Sequence, residues 1–508
     1  MDITVFVDEN LSSIFILSTL IFLLFIIKQT KRLFPDNIKN LPPGPPKLPI
    51  IGNLHQVGDK PHVSLTKFAQ EYGPLISLQL GTQVLVVASS PEAAMGILKT
   101  QDRLLSSRVV PTALQHKSLL PHSIMFSECN ESWRTLRNLC RTEMFSTNAL
   151  EAYSRLREEK VDRLLEFLRK KQGQVINTGD IVFTTLFNTL SCIVFDKDLL
   201  DLEEEHETCV GVKRSLLMIL EYVARIKDVG SFFPVFQRFD LQGIRKGGLK
   251  HVHEVFNYWK DMIEERRTHI SSSTWSSLQS RSFLDRLLEN EFSNDRINQY
   301  LTELFVGGTN TTTTALIWAM AEIVNNKDVM KKIEEEMKRE INSGKIKVSP
   351  LTKLPYLQAC VKEALRLHPP VPFLLPRLAV ETCEVMNYTI PKNASIFVNV
   401  WAIGRDPNVW DDPLSFKPER FLGSNLDFKG QNFEFLPFGS GRRICPSLPL
   451  GSKSMEFIIA SLIHEFDWVL PNNEVPSKLD MDDKFMITLR KEKPLKLIFK
   501  PKHRSSTV

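Results

Sequence analysis

From Pro91 to about residue 345 the chain carries a mostly helical pattern, and that stretch limits the fold class more than any other feature of its 508 residues. Polar breaks interrupt it near Ser106–Pro111, Pro121–Ser127, Gly173 and Ser271–Ser280, the last Ser-rich and loop-like. Strand signals flank it. A helix over His62–Glu71 stops at Gly73-Pro74. Leu75–Gly81 and Gln83–Val87 then read as a β-hairpin turning at Gly81-Thr82. Short strands are predicted again at Arg377–Thr382, Asn387–Ile390 and Ser395–Val398, followed by a helix over Leu448–Phe466 and strand-like residues to the end. No internal repeat is visible. The expected class is mainly α with small β-sheets grouped near the ends of the sequence. A prior of roughly 150 residues per domain suggests about three domains, and a single large fold is also compatible with this length.

Leu11–Ile27 is a charge-free run dominated by Ile, Leu and Phe, preceded by Asp2, Asp8 and Glu9 and followed by Lys28, Lys31 and Arg32. It is at the short end for a bilayer span. The basic flank places the rest of the chain in the cytosol. A cleaved signal peptide wants a basic start and a small-residue cleavage site, and neither is present. Residues 1–33 are therefore expected to be an uncleaved signal anchor. Residues 34–48 are a basic, proline-rich hinge carrying Leu41-Pro42-Pro43-Gly44-Pro45-Pro46, and residues 49–508 are the catalytic body. The four sequons, at Asn130, Asn310, Asn387 and Asn393, are expected to stay unmodified. Seven cysteines are scattered singly, with no CxxC pair and no zinc spacing, which argues against a disulfide scaffold and for a reducing compartment. The net charge of +5, from 64 Lys+Arg against 59 Asp+Glu, is too mild for a nucleic-acid binder. It is compatible with docking an acidic partner.

Three places carry chemistry. The first is Gly307-Gly308-Thr309-Asn310-Thr311-Thr312-Thr313-Thr314, which sits inside a helical pattern although its residues are middling to poor helix formers. Glycine admits close approach to the backbone, and threonine can bond back to the helix or donate into a cavity. A kink or a tight helix crossing explains the stretch equally well. The second is Glu363 with Arg366, an i,i+3 pair among apolar neighbours; if buried, it demands a third partner. The third is Phe438-Gly439-Ser440-Gly441-Arg442-Arg443-Ile444-Cys445-Pro446, a Gly-rich loop ending in one cysteine ahead of an apolar-striped helix. A helix N-terminus stabilises a thiolate, and two arginines can neutralise an anionic ligand. Such a sulfur is a nucleophile or a metal ligand. No histidine base lies near in sequence, which tilts the reading towards a ligand.

Taken together, these residues make the chain resemble the cytochrome P-450 haem-thiolate monooxygenases, and within them the plant microsomal type. Phe438, Gly441, Arg443 and Cys445 fit the Phe-x-x-Gly-x-Arg-x-Cys signature. Glu363 and Arg366 fit Glu-x-x-Arg, with Arg420 of Pro418-Glu419-Arg420-Phe421 as the third member. Trp133 and Arg137 fit Trp-x-x-x-Arg, and Ala402–Pro407 fits the plant form. The resemblance implies a single large haem domain behind an N-terminal transmembrane helix. It implies haem b with Cys445 as the axial metal ligand. Trp133, Arg137, Arg377 and Arg443 would contact the haem propionates, with Phe438 beside the cofactor. Gly307, Gly308 and Thr311 would line the oxygen pocket. Electrons would come from NADPH through an NADPH-cytochrome reductase at the endoplasmic reticulum membrane, and O2 and a small lipophilic substrate would meet at the haem.

Two residues depart from the family pattern. Asn310 stands where the family has Asp or Glu, and an amide cannot relay a proton as a carboxylate can. Ser447 replaces a glycine two residues after the cysteine and brings a hydroxyl near the site. The expected activity is hydroxylation of a terpenoid or alkaloid, with the pocket shaped by Pro369–Leu374 and by loops around 105–125, 205–225 and 370–375. Oxidative coupling, rearrangement or dehydration is the alternative that Asn310 supports. A membrane-anchored interaction protein without turnover is the alternative from another class.

Overall fold

The computed structural model of the chain describes residues 16–20, 40–116, 119–203, 207–225, 227–271, 282–341 and 346–502. The expected anchor, residues 1–33, lies outside the described residues except for Ile16–Leu20, and so does the Ser-rich stretch over 272–281. The fold is mostly helical with small sheets.

The helices that carry the body are α1 Pro61–Tyr72, α2 Glu131–Glu143, α3 Ser154–Lys170, α4 Thr178–Phe195, α5 Glu207–Val223, α6 Ile244–Ser271, α7 Asn294–Asn325, α8 Lys327–Glu340, α9 Pro355–Leu367 and α10 Leu448–Glu465. Among the described residues, α4 is the one helix long and apolar enough to cross a membrane, but 83% of it is buried inside the protein, as befits a core helix. The centre of the molecule is α7. On one side it packs on α3, α9 and α10. On the other, Phe305 of α7 stacks 4.9 Å from Trp259 of α6 and 4.8 Å from Phe187 of α4. Truncating one such ring to alanine costs about 3–5 kcal/mol. The Trp259 indole N–H is satisfied by the Thr302 hydroxyl at 3.1 Å.

The strands are β1 Leu75–Leu80, β2 Gln83–Ala88, β3 Ser107–Arg108, β4 Ile176–Asn177, β5 Arg377–Leu378, β6 Cys383–Val385, β7 Tyr388–Ile390, β8 Ser395–Val398, β9 Phe466–Val469, β10 Asp483–Phe485, β11 Leu489–Lys491 and β12 Lys496–Pro501. One five-stranded sheet runs β1-β2-β8-β5-β3, with only the β2–β8 pair parallel. Its register sets Arg108 directly opposite Arg377. β5 is shorter than the expected strand over Arg377–Thr382, because the Val380 N–H leaves the ladder for the Leu104 carbonyl. The expected loop around 205–225 is instead the helix α5.

The proline-rich hinge is packed on the body from Pro42 onward. The Pro43 carbonyl accepts from the Ser77 N–H at 2.9 Å, and the Pro45 and Pro46 carbonyls accept from the Asn53 amide at 3.1 Å. A Cβ on Gly44 would lie 2.0 Å from the Ser77 carbonyl oxygen, so this crossing of β1 requires glycine.

Candidate active site

The cysteine loop is held by conformations that only glycine adopts without strain. Gly439 and Gly441 sit at φ +73° and +70°, and a Cβ on Gly441 would fall 2.4 Å from the Leu98 carbonyl. Residues Gly441–Arg443 form one 3₁₀ turn, and the Cys445 N–H closes the loop on the Phe438 carbonyl at 3.0 Å. Cys445, half-buried, and Phe438 both line an apolar cavity, just ahead of the α10 N-terminus. That cavity is about 270 Å³ and is walled mainly by aliphatic and aromatic side chains.

The same cavity is lined by Gly307, Gly308, Thr311 and Thr312 of α7. The helix runs through this stretch without a break. Within it Thr309, Thr311, Thr312 and Thr313 each donate to the carbonyl four residues earlier, at 2.7, 2.7, 3.1 and 2.9 Å, which satisfies their hydroxyls inside the helix. Asn310 is buried but turned away from the cavity. Its amide donates to the Thr488 hydroxyl at 3.0 Å, and its carbonyl accepts from the Arg490 guanidinium at 2.5 Å, both in the β10–β11 hairpin region.

Four arginines, Arg108, Arg137, Arg377 and Arg443, line the cavity wall. Burial, and then repulsion from Arg377 and Arg443, holds Arg108 well below the ordinary arginine range, and burial likewise lowers Arg137, Arg377 and Arg443. Asp102 bonds Arg377 at 3.2 Å and is shared with the more exposed Arg442 at 2.9 Å. The other donors of the four are met by neutral carbonyls: Arg443 by Ser106 at 3.0 Å and Ile124 at 3.2 Å, Arg377 by Leu105 at 3.2 Å, Arg108 by Leu375 and Arg137 by Ile444. The Arg108 Nε has no partner. So much buried positive charge asks for anions. Trp133 packs behind two of these arginines. Its indole N–H is committed to the Ile124 carbonyl at 2.9 Å, and its ring supports the Arg443 and Arg137 guanidiniums at 4.9 and 5.7 Å.

Among the described residues no cluster of three His, Cys, Asp or Glu could hold a bare metal ion. A metal on Cys445 must therefore arrive with most of its ligands already attached. A haem, with four ring nitrogens and two propionates, matches a single thiolate, an apolar cleft and an arginine-rich rim.

The second sequence feature is a buried ion network. Glu363 and Arg366 are both fully buried, with contacts of 2.6 and 2.7 Å. Arg420 joins Glu363 at 3.2 Å, and the Lys417 N–H donates to it at 2.8 Å. Sequence reasoning missed Arg108, Glu303 and the Ile487–Thr488 turn, all of which line the cavity. The buried Glu303 carboxyl accepts from the Ile124 and Met125 N–H groups at 2.7 and 3.0 Å, from Gln299 at 2.7 Å and from the Ser123 hydroxyl, and so pins the 123–126 loop to α7. Burial raises its pKa above the usual carboxylate value. A lone glutamate on an apolar helix face, two turns before Thr311, was the only available signal.

Residues 42–499 match the family model of Cytochrome P450. The chain is 46% identical over 483 residues to a probable (S)-N-methylcoclaurine 3'-hydroxylase isozyme 2 of Coptis japonica, across 95% of this chain and 96% of that protein. It is 41% identical to corytuberine synthase of the same plant, across 90% and 93% of the two chains. It is 40% identical to geraniol 8-hydroxylase of Catharanthus roseus, across 95% and 98%.

Proposed function

Because this chain belongs to the cytochrome P450 family, we propose that it hydroxylates a small lipophilic plant metabolite, an alkaloid or terpenoid, with Cys445 as the haem ligand. It is an oxidoreductase whose family carries haem on a cysteine thiolate and draws electrons from NADPH through a reductase. When bound, the haem supplies oxygen activation. The protein's own groups do the rest. The Gly-rich loop presents the Cys445 sulfur to the cavity just ahead of the α10 N-terminus, where it would hold the haem iron. Arg108, Arg137, Arg377 and Arg443 hold the propionates, with Trp133 as the platform beneath two of them. Gly307 lets the Met125 side chain approach α7, where a Cβ would fall 2.5 Å from its methyl group. The Thr311 hydroxyl, now bonded to the Gly307 carbonyl at 2.7 Å, can swing to hold a water and pass a proton. Leu114, Ile219, Leu220, Val223 and Leu374 exclude bulk water and favour an apolar substrate.

The observation that carries this reading is that the Cys445 loop and the Gly307–Thr312 stretch line one apolar cavity rimmed by under-neutralised arginines. Replacing Cys445 with alanine is expected to abolish the carbon-monoxide difference band of thiolate-ligated haem together with turnover. Retention of both overturns the assignment. The relatives' names favour hydroxylation, and the substrate class is tested by type-I spectral shifts with N-methylcoclaurine against geraniol. The relative named as a synthase, together with Asn310, supports coupling as a second reading; product mass separates the two, because hydroxylation adds one oxygen.

The charge-free run Leu11–Ile27 supports single-pass anchoring in the endoplasmic reticulum with a cytosolic body, residues 49–508 being the haem domain behind a hinge over 34–48. An exposed apolar group, Val235, Phe239 and Leu241, supports contact with the same membrane. The Phe232 carbonyl near that group accepts from the Thr82 N–H at 2.9 Å, which puts this loop beside the turn between β1 and β2. Asn130, Asn387 and Asn393 are surface sequons, so a glycosidase-sensitive mass shift refutes the orientation.

A further inference from the structure

Ser447 occupies the N-cap of α10: its carbonyl accepts the first intrahelical bond, from the Gly451 N–H at 2.8 Å. A serine there ordinarily turns its hydroxyl onto the N–H two or three residues ahead. Here it makes no capping bond, and Pro449 has removed one of the two candidate donors. The hydroxyl instead lies 3.4 Å from the Cys445 sulfur. The backbone at Ser447, φ −89° and ψ 11°, accommodates a side chain without strain, so the residue does not have to be glycine. Ser447 and Cys445 line the same cavity.

We propose that Ser447 is a positioning residue that donates a hydrogen bond to the Cys445 sulfur and thereby tunes the electron density that the sulfur gives to the haem iron. The inference rests on Cys445 being the ligand. A metal-bound thiolate has no proton, so the serine is the donor and the sulfur the acceptor. A charge-assisted bond of this kind withdraws density from the ligand, and hydrogen bonds around a ligating sulfur are a recognised lever on potential. With that bond in place the iron is easier to reduce. Without it the sulfur donates more strongly.

The test uses the full-length holoenzyme and its Ser447→Ala, Ser447→Gly and Ser447→Thr variants. Two quantities are measured: the ferric/ferrous midpoint potential by spectroelectrochemistry, and the C–O stretching frequency of the ferrous carbon-monoxide complex by infrared spectroscopy. The alanine and glycine variants are expected to show a lower potential and a lower C–O frequency, because a richer iron pushes more density onto bound CO. The threonine variant, which keeps the hydroxyl, is expected to restore both. Equal values in alanine and wild type overturn the proposal, as does a threonine variant that behaves like alanine. The carbon-monoxide difference band separates the two levels of the argument. If it persists in every variant and neither quantity moves, Ser447 fails while Cys445 stands. If Cys445→Ala keeps the band, the underlying reading fails first.

Discussion

Replacing Asn310 with Asp tests whether Arg490 is a half-buried cation waiting for a carboxylate. Burial alone lowers the Arg490 pKa, and among the described residues no acid offsets it. Its guanidinium reaches the Asn310 carbonyl oxygen at 2.5 Å, and the Thr488 hydroxyl, 3.0 Å from the amide nitrogen, can reverse its proton to serve a carboxylate. An aspartate therefore enters with both oxygens partnered. The bond to Arg490 is already charge-assisted through its donor, worth about 1.5–3 kcal/mol, and gains a second charge on its acceptor. At an effective dielectric of 20 and about 4 Å the attraction is about 4 kcal/mol, against several kcal/mol for burying the new carboxylate. Because Arg490 is already partly desolvated, we expect a net gain of about 1 kcal/mol, roughly fivefold in the unfolding constant. The assay is the denaturant midpoint of the holoprotein at pH 7, repeated in an Arg490→Gln background. The pairing holds the new carboxyl below its unfolded pKa of about 3.9, so the gain is present above that value and vanishes as pH falls through the folded one. A loss of stability, or a gain that survives removal of Arg490, refutes the reasoning. Held by Arg490 and turned from the cavity, the new carboxylate is not placed to relay a proton, so NADPH consumed per product is expected to stay unchanged; a fall in that ratio refutes the orientation.

Glu363→Gln leaves two guanidiniums buried without their counter-ion, which costs about 3–5 kcal/mol and should show as a collapsed folded yield or a midpoint shifted by that amount. Arg108→Leu has effects of opposite sign: it relieves repulsion in the haem-free protein, raising its unfolding midpoint, and removes a propionate donor, speeding haem transfer to apomyoglobin about tenfold. Glu456 on α10 has its pKa raised by burial to about 7 from 4.5, so the folded state prefers it protonated; stability is expected to fall as pH rises between those values, and Glu456→Gln should flatten that slope.

What could be read from the sequence and what could not divides along the range of the interaction. The cysteine loop was legible because its constraints are local: glycines in left-handed conformations, then a cysteine, then a helix start. Glu363 and Arg366 were legible as neighbours on one helix turn. The Gly307–Thr314 stretch was legible as an anomaly but not as a solution, since the packing that holds α7 on both sides comes from residues distant in sequence. Arg108 and Arg377 are 269 residues apart and meet through a register of two residue pairs, which no local pattern encodes. Asn310 finds Arg490 across 180 residues, and Ser123 finds Glu303 across the same separation.

The arginine rim shows why charge was the hardest quantity to interpret. In the sequence, Arg108, Arg137, Arg377 and Arg443 are four of the 64 basic residues behind a net charge of only +5. Folding turns these four from solvated surface charges into a desolvated group that repels itself and shares one nearby carboxylate with Arg442. No stable core gathers like charges this way unless a ligand brings the missing anions. The same logic applies to Ser447, whose hydroxyl gives up an available helix cap to face a sulfur. In both places a stabilising option left unused by the polypeptide is the sign of the group it was built to hold.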